Sequence, residues 1–374
     1  MSVQKIERAG KARYRARVKW HGREVATRVF NRKRDADGWH DEQQQRLRSG
    51  EWVDPRRGRV PLDSFVEDWF TSRETLKRKT READRSAWEN HIKRKFGKAP
   101  VASISKGQIE TWVGSLAASR SQATAARYLA SLRSLLQYAV SDGLITRNPA
   151  ADVKVSNSRK TRREGQFLTS EELDMLQAKC TGEYAELVLV LGLCGLRFGE
   201  LAGLRVGDRV LVPGSGLRLQ RAVLASSATG ELYEDTLKGS QSRTVPLPAS
   251  VEPIVARWAA GKTSSDWLFS APHGGPLSES NWKRAVGWVA AKKSIGRPTI
   301  RVHDLRHTMA SIWLGAGADP KVVQRVMGHA SATMTMDLYG HLIDDNLWSA
   351  AGRVGGTTGA SADVAGNDKT PGAG

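Results

Sequence analysis

Hydrophobic positions change their period twice along this chain. Between Arg13 and Trp20 they alternate strictly, with Tyr14, Ala16, Val18 and Trp20 on one side and Arg13, Arg15, Arg17 and Lys19 on the other. That two-residue period marks a half-buried strand. His21-Gly22 can turn the chain into a second strand over Glu24–Phe30. Val3–Arg8 offers a third, and Lys33–Arg48 then reads as a helix. From Pro61 the period lengthens to that of helices. Leu62, Phe65, Val66 and Trp69 share one face, and Thr80–Phe96 forms a second helix ending near Gly97. Ser105 opens a third, with Ile109, Trp112, Val113 and Leu116 as its stripe. Ser121–Ser141 is a fourth, built on Ala125, Leu129, Leu132, Leu136 and Tyr138, and Asp142-Gly143 stops it. The third regime begins at Phe167-Leu168-Thr169, where Thr169 or Ser170 caps a helix opening at Glu171-Glu172. A strand-rich stretch, Leu217–Leu247, lies between helical ones. After Trp348 the chain is Gly, Ala, Thr and Ser without apolar periodicity, which predicts disorder.

These regimes predict a multidomain α+β chain. A small β-sheet-plus-helix domain covers 1–58, an all-α domain 60–152, a polar basic linker 153–166, a mixed α/β domain 167–348 and a disordered tail 349–374. At 374 residues the chain is too long for one ordinary core.

Charge adds an asymmetry that the pattern does not show. The formal net charge is +19, and residues 1–60 hold 17 basic against 8 acidic residues. Residues 61–165 hold 20 against 11, while 166–374 are nearly balanced at 21 against 20. A polyanionic partner is therefore expected at the front of the chain. The row Arg13, Arg15, Arg17, Lys19 is either a solvated face or a reader of a nucleic-acid groove, since a two-stranded ribbon fits the major groove. Lys77, Arg78, Lys79, Arg81, Lys93, Arg94 and Lys95 are candidates for phosphate contacts, and Arg162 and Arg163 in the linker can track a backbone. Two cysteines, Cys180 and Cys194, are too few for a disulfide framework or a cysteine zinc site. Met1 to Gly10 lacks the apolar core of a signal peptide, and no stretch reaches the roughly 20 apolar residues of a membrane span. A cytoplasmic, nucleoid-associated protein is expected.

Breaking a phosphodiester without metal or ATP needs a nucleophile, cations on the non-bridging oxygens and an acid for the leaving oxygen. The last half of the chain carries candidates for each. Arg197 lies in a helix-compatible segment one turn from Glu200, whose carboxylate can orient its guanidinium. Arg306 follows His303 by three residues, and two arginine forks can clamp one phosphate. Lys238, with Gly239-Ser240, stands at an expected strand-to-strand turn from which it can donate a proton to a departing 5′-oxygen. Tyr339 is the candidate nucleophile, with His341 or His303 assisting its deprotonation. His303 and His307 have the i, i+4 spacing of a zinc helix, but Asp304 stands where the H-E-x-x-H glutamate would, so no metal is expected.

Gly195-Leu196-Arg197-Phe198-Gly199-Glu200-Leu201, Thr236-Leu237-Lys238-Gly239-Ser240, His303-Asp304-Leu305-Arg306-His307, Met327-Gly328-His329 and Asp337-Leu338-Tyr339-Gly340-His341 follow one another in an order that resembles the tyrosine recombinases, the phage-integrase family. The signature of that family carries over to Arg197, Lys238, His303, Arg306, His329 and Tyr339, with Glu200 at the acidic position after the first arginine. Departures are minor: Met327 stands where leucine is common, and Phe198 lies inside the first motif. The resemblance implies a helical core-binding domain and a mixed α/β catalytic domain that clamp DNA, and residues 1–58 resemble the arm-site domain of many phage integrases. It further implies a 3′-phosphotyrosine intermediate on Tyr339, His329 as a hydrogen-bond donor to the phosphate, no cofactor, and a homotetramer on core-type and arm-type attachment sites. Leu342, Ile343, Leu347 and Trp348 are expected to pack on a neighbouring protomer or in cis. A DNA-bending host factor and an excision factor stay open as partners. A resolvase or transposon-type recombinase, or a catalytically silent DNA-binding regulator, are the alternative readings.

Overall fold

The strand alternation at the start of the chain builds a three-stranded antiparallel sheet of Val3–Arg8 (β1), Lys11–Trp20 (β2) and Arg23–Phe30 (β3), in the order β1-β2-β3. It is seen in a computed structural model that describes residues 3–8, 11–20, 22–49, 54, 57–155, 166–237 and 242–328. Ala16 and Val18 are fully buried beneath the helix Lys33–Arg48 (α1), beside Ala26, Ala36 and Leu47. The register sets Gln4 and Ile6 opposite Arg15 and Arg13, and Thr27 and Val29 opposite Arg17 and Arg15, so these neighbours share the basic face. The alternation fails at its end. A register shift falls between Val18 and Lys19, and Trp20, expected on the apolar face, is 42% exposed. A bulge of this kind bends the strand and re-aims the side chains beyond it.

The helical stripes then form a second core. Leu62–Phe65 makes a 3-10 turn into Val66–Ser72 (α2), and Leu62, Phe65, Val66 and Trp69 are all buried. The expected helix to Phe96 starts earlier and is not uniform. It runs as Arg78–Ala87 (α3), a π-helical turn Trp88–Ile92 and Lys93–Phe96 (α4). Trp88, Ile92 and Phe96 are all buried at the four-residue spacing across that turn. Lys106–Ser119 (α5) begins at a reciprocal cap between Ser105 and Gln108, and Gln122–Ser141 (α6) begins at Ser121. Inside this core Asp84 is buried but satisfied, by Arg73 Nε at 2.9 Å and Ser131 Oγ at 2.7 Å.

The chain divides into two compact units, 1–160 and 161–374. In the second, Thr169 and Glu172 cap Ser170–Lys179 (α7) reciprocally. Leu187–Cys194 (α8) is apolar nearly all round, as a helix covered on every side must be. It ends at Gly195, in the left-handed region at φ 65°, where a Cβ would lie 2.2 Å from Met309 Cε. The short helix Phe198–Ala202 (α9) begins three residues later. Arg209–Val210 (β4), Gly216–Leu219 (β5) and Arg243–Pro246 (β8) form one antiparallel sheet in the order β4-β5-β8. Arg221–Ala225 (β6) and Leu232–Thr236 (β7) form a separate hairpin. Glu252–Ala259 (α10), Glu279–Ala285 (α11), Trp288–Ser294 (α12), Asp304–Gly315 (α13) and Pro320–Met327 (α14) complete the described unit. No helix among the described residues is long and apolar enough to cross a membrane. The linker residues 156–165, the C-terminal packing residues and the tail 349–374 lie outside the described residues.

Candidate active site

Glu200 is the centre from which the site is built. It sits on α9, is 2% exposed, and receives Arg197 Nη1 at 2.6 Å on Oε1 and the Arg197 backbone N–H at 2.9 Å on Oε2. The expected Arg197–Glu200 pair is therefore present, with one correction. Arg197 is not helical but is the extended N-cap of α9, at φ −70° and ψ 146°, which lets side chain and main chain grip the same carboxylate. A second arginine, Arg243 on β8, closes a two-pronged fork on Glu200 at 3.0 and 2.7 Å. Burial pushes the Glu200 carboxyl upward, but the Arg243 hydrogen bond and charge, with those of Arg197, outweigh it and hold it at about 2. The carboxylate is ionised under all ordinary conditions.

Arg243 was not among the residues singled out from sequence, though a signal existed. Arg243 and Val245 lie on one face of β8, and Val245 is fully buried. A charge on the buried face of a strand requires a buried partner.

Arg306 and His303 come from the start of α13. Arg306 is only 1% exposed and donates from Nη1 to the Gly195 carbonyl at 2.7 Å and from Nη2 to the Met327 carbonyl. The two forks differ in exposure. The Arg197 side chain is about a third exposed, whereas Arg306 is fixed in the floor by main-chain carbonyls. His303 is the N-cap residue of α13 and reaches solvent, yet the surrounding protein and then the Arg306 and Arg197 charges lower its pKa below the ordinary 6.5. His307, its ring 5.5 Å from that of His303, is lowered by burial and by His303. Both shifts favour the neutral imidazole. Asp304, 1% exposed, takes Arg301 at 2.6 and 3.0 Å and locks the start of α13. A cleft of about 640 Å³ beside His303 is lined by Lys283, Arg284, Lys292 and Arg301, four cations that sequence reasoning also passed over. Burial pushes the Cys180 thiol up to about 11 and Cys194 up to about 12, so neither offers a thiolate.

Lys238, His329, Tyr339, His341, Arg162 and Arg163 lie outside the described residues. The described strands on either side of residues 238–241 belong to different sheets, β7 pairing with β6 and β8 with β5. Val245 and Leu217 face each other across β5 and β8, both fully buried, and this pairing draws β8 away from β7. At the front of the chain, Arg13 and Arg15 are half-buried and Lys19 is exposed. Arg17 donates to Gln4 at 3.1 Å and lies 3.9 Å from Glu24. Lys77, Lys79, Arg81, Lys93, Arg94 and Lys95 are exposed. Arg78 and Lys93 are paired one turn away with Glu82 and Glu89, each at 3.0 Å.

Residues 62–156 match the phage integrase central domain, and residues 166–345 match the phage integrase family. A tyrosine recombinase XerC of Listeria innocua is 30% identical over 244 residues, 61% of this chain and 74% of that protein. The chain belongs to the phage integrase family of tyrosine recombinases. An integrase of Mycobacterium phage FRAT1 is 26% identical over 316 residues, 81% of this recombinase and 92% of the phage protein. Among solved structures, the Tn1549 transposon integrase matches with a TM-score of 0.65 at 21% identity, covering 79% of this chain and all of that one. The lambda integrase matches at 0.55 and 18%, covering 91% and 95%. At such identities the likeness is one of fold. It extends to the small sheet, the helical domain and the mixed α/β unit of the recombinase.

Proposed function

We propose that this integrase-type recombinase cuts and rejoins double-stranded DNA through a 3′-phosphotyrosine on Tyr339, without metal or nucleotide cofactor. The observation that carries the reading is the cationic cluster of Arg197 and Arg306 beside the α13 start, with Arg243 bracing Arg197 through the buried Glu200. Arg197 is its open fork, and Arg306 adds charge from the floor. Fixed cations of this kind stabilise charge that develops on the non-bridging oxygens, with little reorganisation during the reaction. Tyr339 Oη forms the new bond to phosphorus as the bond to the 5′-oxygen breaks. Lys238 supplies the proton to that oxygen, and neutral His303 or His341 accepts the tyrosine proton. The freed 5′-hydroxyl of a partner strand then attacks the phosphotyrosine and restores the tyrosine, so no net bond energy is spent. His329 donates a hydrogen bond to the phosphate.

The basic front of the chain supports a division of labour. Residues 1–58 take arm-type sites through Arg13, Arg15, Arg17 and Lys19. Residues 60–152 and 167–348 hold the core site, with Lys77, Arg78, Lys79, Lys93 and Arg94 on phosphates, and the linker 153–166, with Arg162 and Arg163, follows the backbone. The Tn1549 integrase has been solved with transposon right end DNA, and the lambda integrase as a dimer on a core site and a tetramer on a Holliday junction. By likeness of fold, this chain too acts as a tetramer, on attachment sites of a phage or mobile element.

The test is incubation with DNA flanking its own gene in the presence of EDTA, quenched with detergent. The expected result is a covalent protein–DNA adduct, absent in Tyr339→Phe although that variant binds the same DNA. An adduct from Tyr339→Phe would overturn the nucleophile assignment, and an adduct that needs added metal would overturn the metal-free chemistry.

A further inference from the structure

We propose that Arg243 is a positioning residue for strand cleavage, holding Arg197 and the approach to His329 in register through a single guanidinium. The proposal rests on the reading of Arg197 and His329 given above. Two of the donors of Arg243 hold both oxygens of Glu200, the carboxylate that in turn holds the side chain and main chain of Arg197. Its third contact points elsewhere. Arg243 Nε donates to the Val326 carbonyl at 2.7 Å, in the last turn of α14. The next carbonyl, that of Met327, accepts from Arg306. Two arginines thus grip consecutive carbonyls at a helix end, where acceptors lack partners within the helix, and the chain then passes through Gly328 to His329.

Gly328 fits this arrangement. It is in the left-handed region at φ 65°, and a Cβ there would lie 3.1 to 3.2 Å from Cδ, Nε and Nη1 of Arg243. The arginine therefore lies flat against the glycine backbone. With its side chain 11% exposed, Arg243 is placed to act through Glu200 and α14 and not on DNA itself. Lysine cannot replace it, because a single ammonium has no planar fork to serve a carboxylate and a carbonyl at once.

Arg243→Lys keeps the charge and removes the fork. In the full chain it is expected to keep the wild-type circular dichroism and the wild-type affinity for duplex DNA flanking its gene. Amides of α9 and α14 are expected to exchange faster together, with the other elements unchanged. The rate of Tyr339-dependent adduct formation is expected to fall on the order of 100-fold, the scale of a misplaced reacting group. The double variant with Glu200→Gln is expected to be no slower than the slower single one, because both act through one contact. Unchanged exchange in α9 and α14 would overturn the proposal whatever the activity. So would loosened helices with an unchanged cleavage rate, or a rate loss explained wholly by weaker DNA binding. If the lysine variant does not fold, the Nε–H signal of Arg243 in the wild-type protein decides instead. Slow solvent exchange is expected, and exchange as fast as that of exposed arginines would overturn the proposal. Absence of any adduct from the wild-type chain, with α9 and α14 loosened in the variant, would be a failure of the recombinase reading and would take this one with it.

Discussion

Glu200 holds two guanidinium groups while almost wholly out of water, so removing its charge leaves Arg243 facing a neutral partner inside the protein. Breaking a buried pair in this way costs about 3 kcal/mol. Glu200→Gln is expected to lower stability by that order in urea denaturation at pH 7. Because the folded pKa is depressed to about 2 from an ordinary 4.5, the contribution is complete above 4.5 and is lost as pH falls toward 2. The gap between wild type and variant should therefore narrow over that window, and a gap independent of pH would contradict the assignment. His303 has a depressed pKa too, but it is a base, so its neutral form is the one the fold favours. Folding is therefore unaffected by this group above 6.5 and is penalised as pH falls below 6.5 toward the folded value. An NMR titration of its ring should have a midpoint below 6.5 that moves upward in Arg197→Ala, since that charge is one cause of the shift. The Arg197–Glu200 pair was legible in the sequence because its partners are three residues apart. Arg243 was not, because its carboxylate lies 43 residues away and only the folded β8 brings them together.

Helix starts were written locally and read correctly at Ser105 and Ser121, while at the third domain Thr169, one of two candidates, is the cap and the helix opens at Ser170, one residue before the expected Glu171. Departures arose where distant partners decide. The bulge before Lys19 depends on β3, and the π-helical turn at Trp88 depends on how the helix packs. The division of the strands over 216–246 into two sheets depends on Leu217 meeting Val245. The end of α8 is a further case, because Gly195 must be left-handed and also clear Met309. Gly195→Ala adds a strained backbone of roughly 1–2 kcal/mol to that collision. A loss of at least about 2 kcal/mol is expected in thermal or urea unfolding. A neutral effect would mean that α8 does not end as described.

At the scale of the whole molecule, charge and chemistry are separated along the chain, with the excess of positive charge lying before residue 166. Removing residues 1–58 is expected to leave Tyr339-dependent cleavage of a core-type site intact and to abolish footprints on arm-type sites. Unchanged footprints on both would refute the arm-site role. The division into sheet, helical and mixed regions was legible because the apolar period changes between them. The meeting of Arg197 and Arg243 on the Glu200 carboxylate was not legible, since no local spacing encodes it. The central claim is that Tyr339 becomes bonded to the 3′ side of the cut. Mass spectrometry of the peptide left on the DNA after proteolysis of the adduct tests this directly. The account predicts the peptide containing Tyr339 joined to a 3′-phosphate, with a free 5′-hydroxyl on the other fragment. A linkage to another residue, or to the 5′ end, would contradict it.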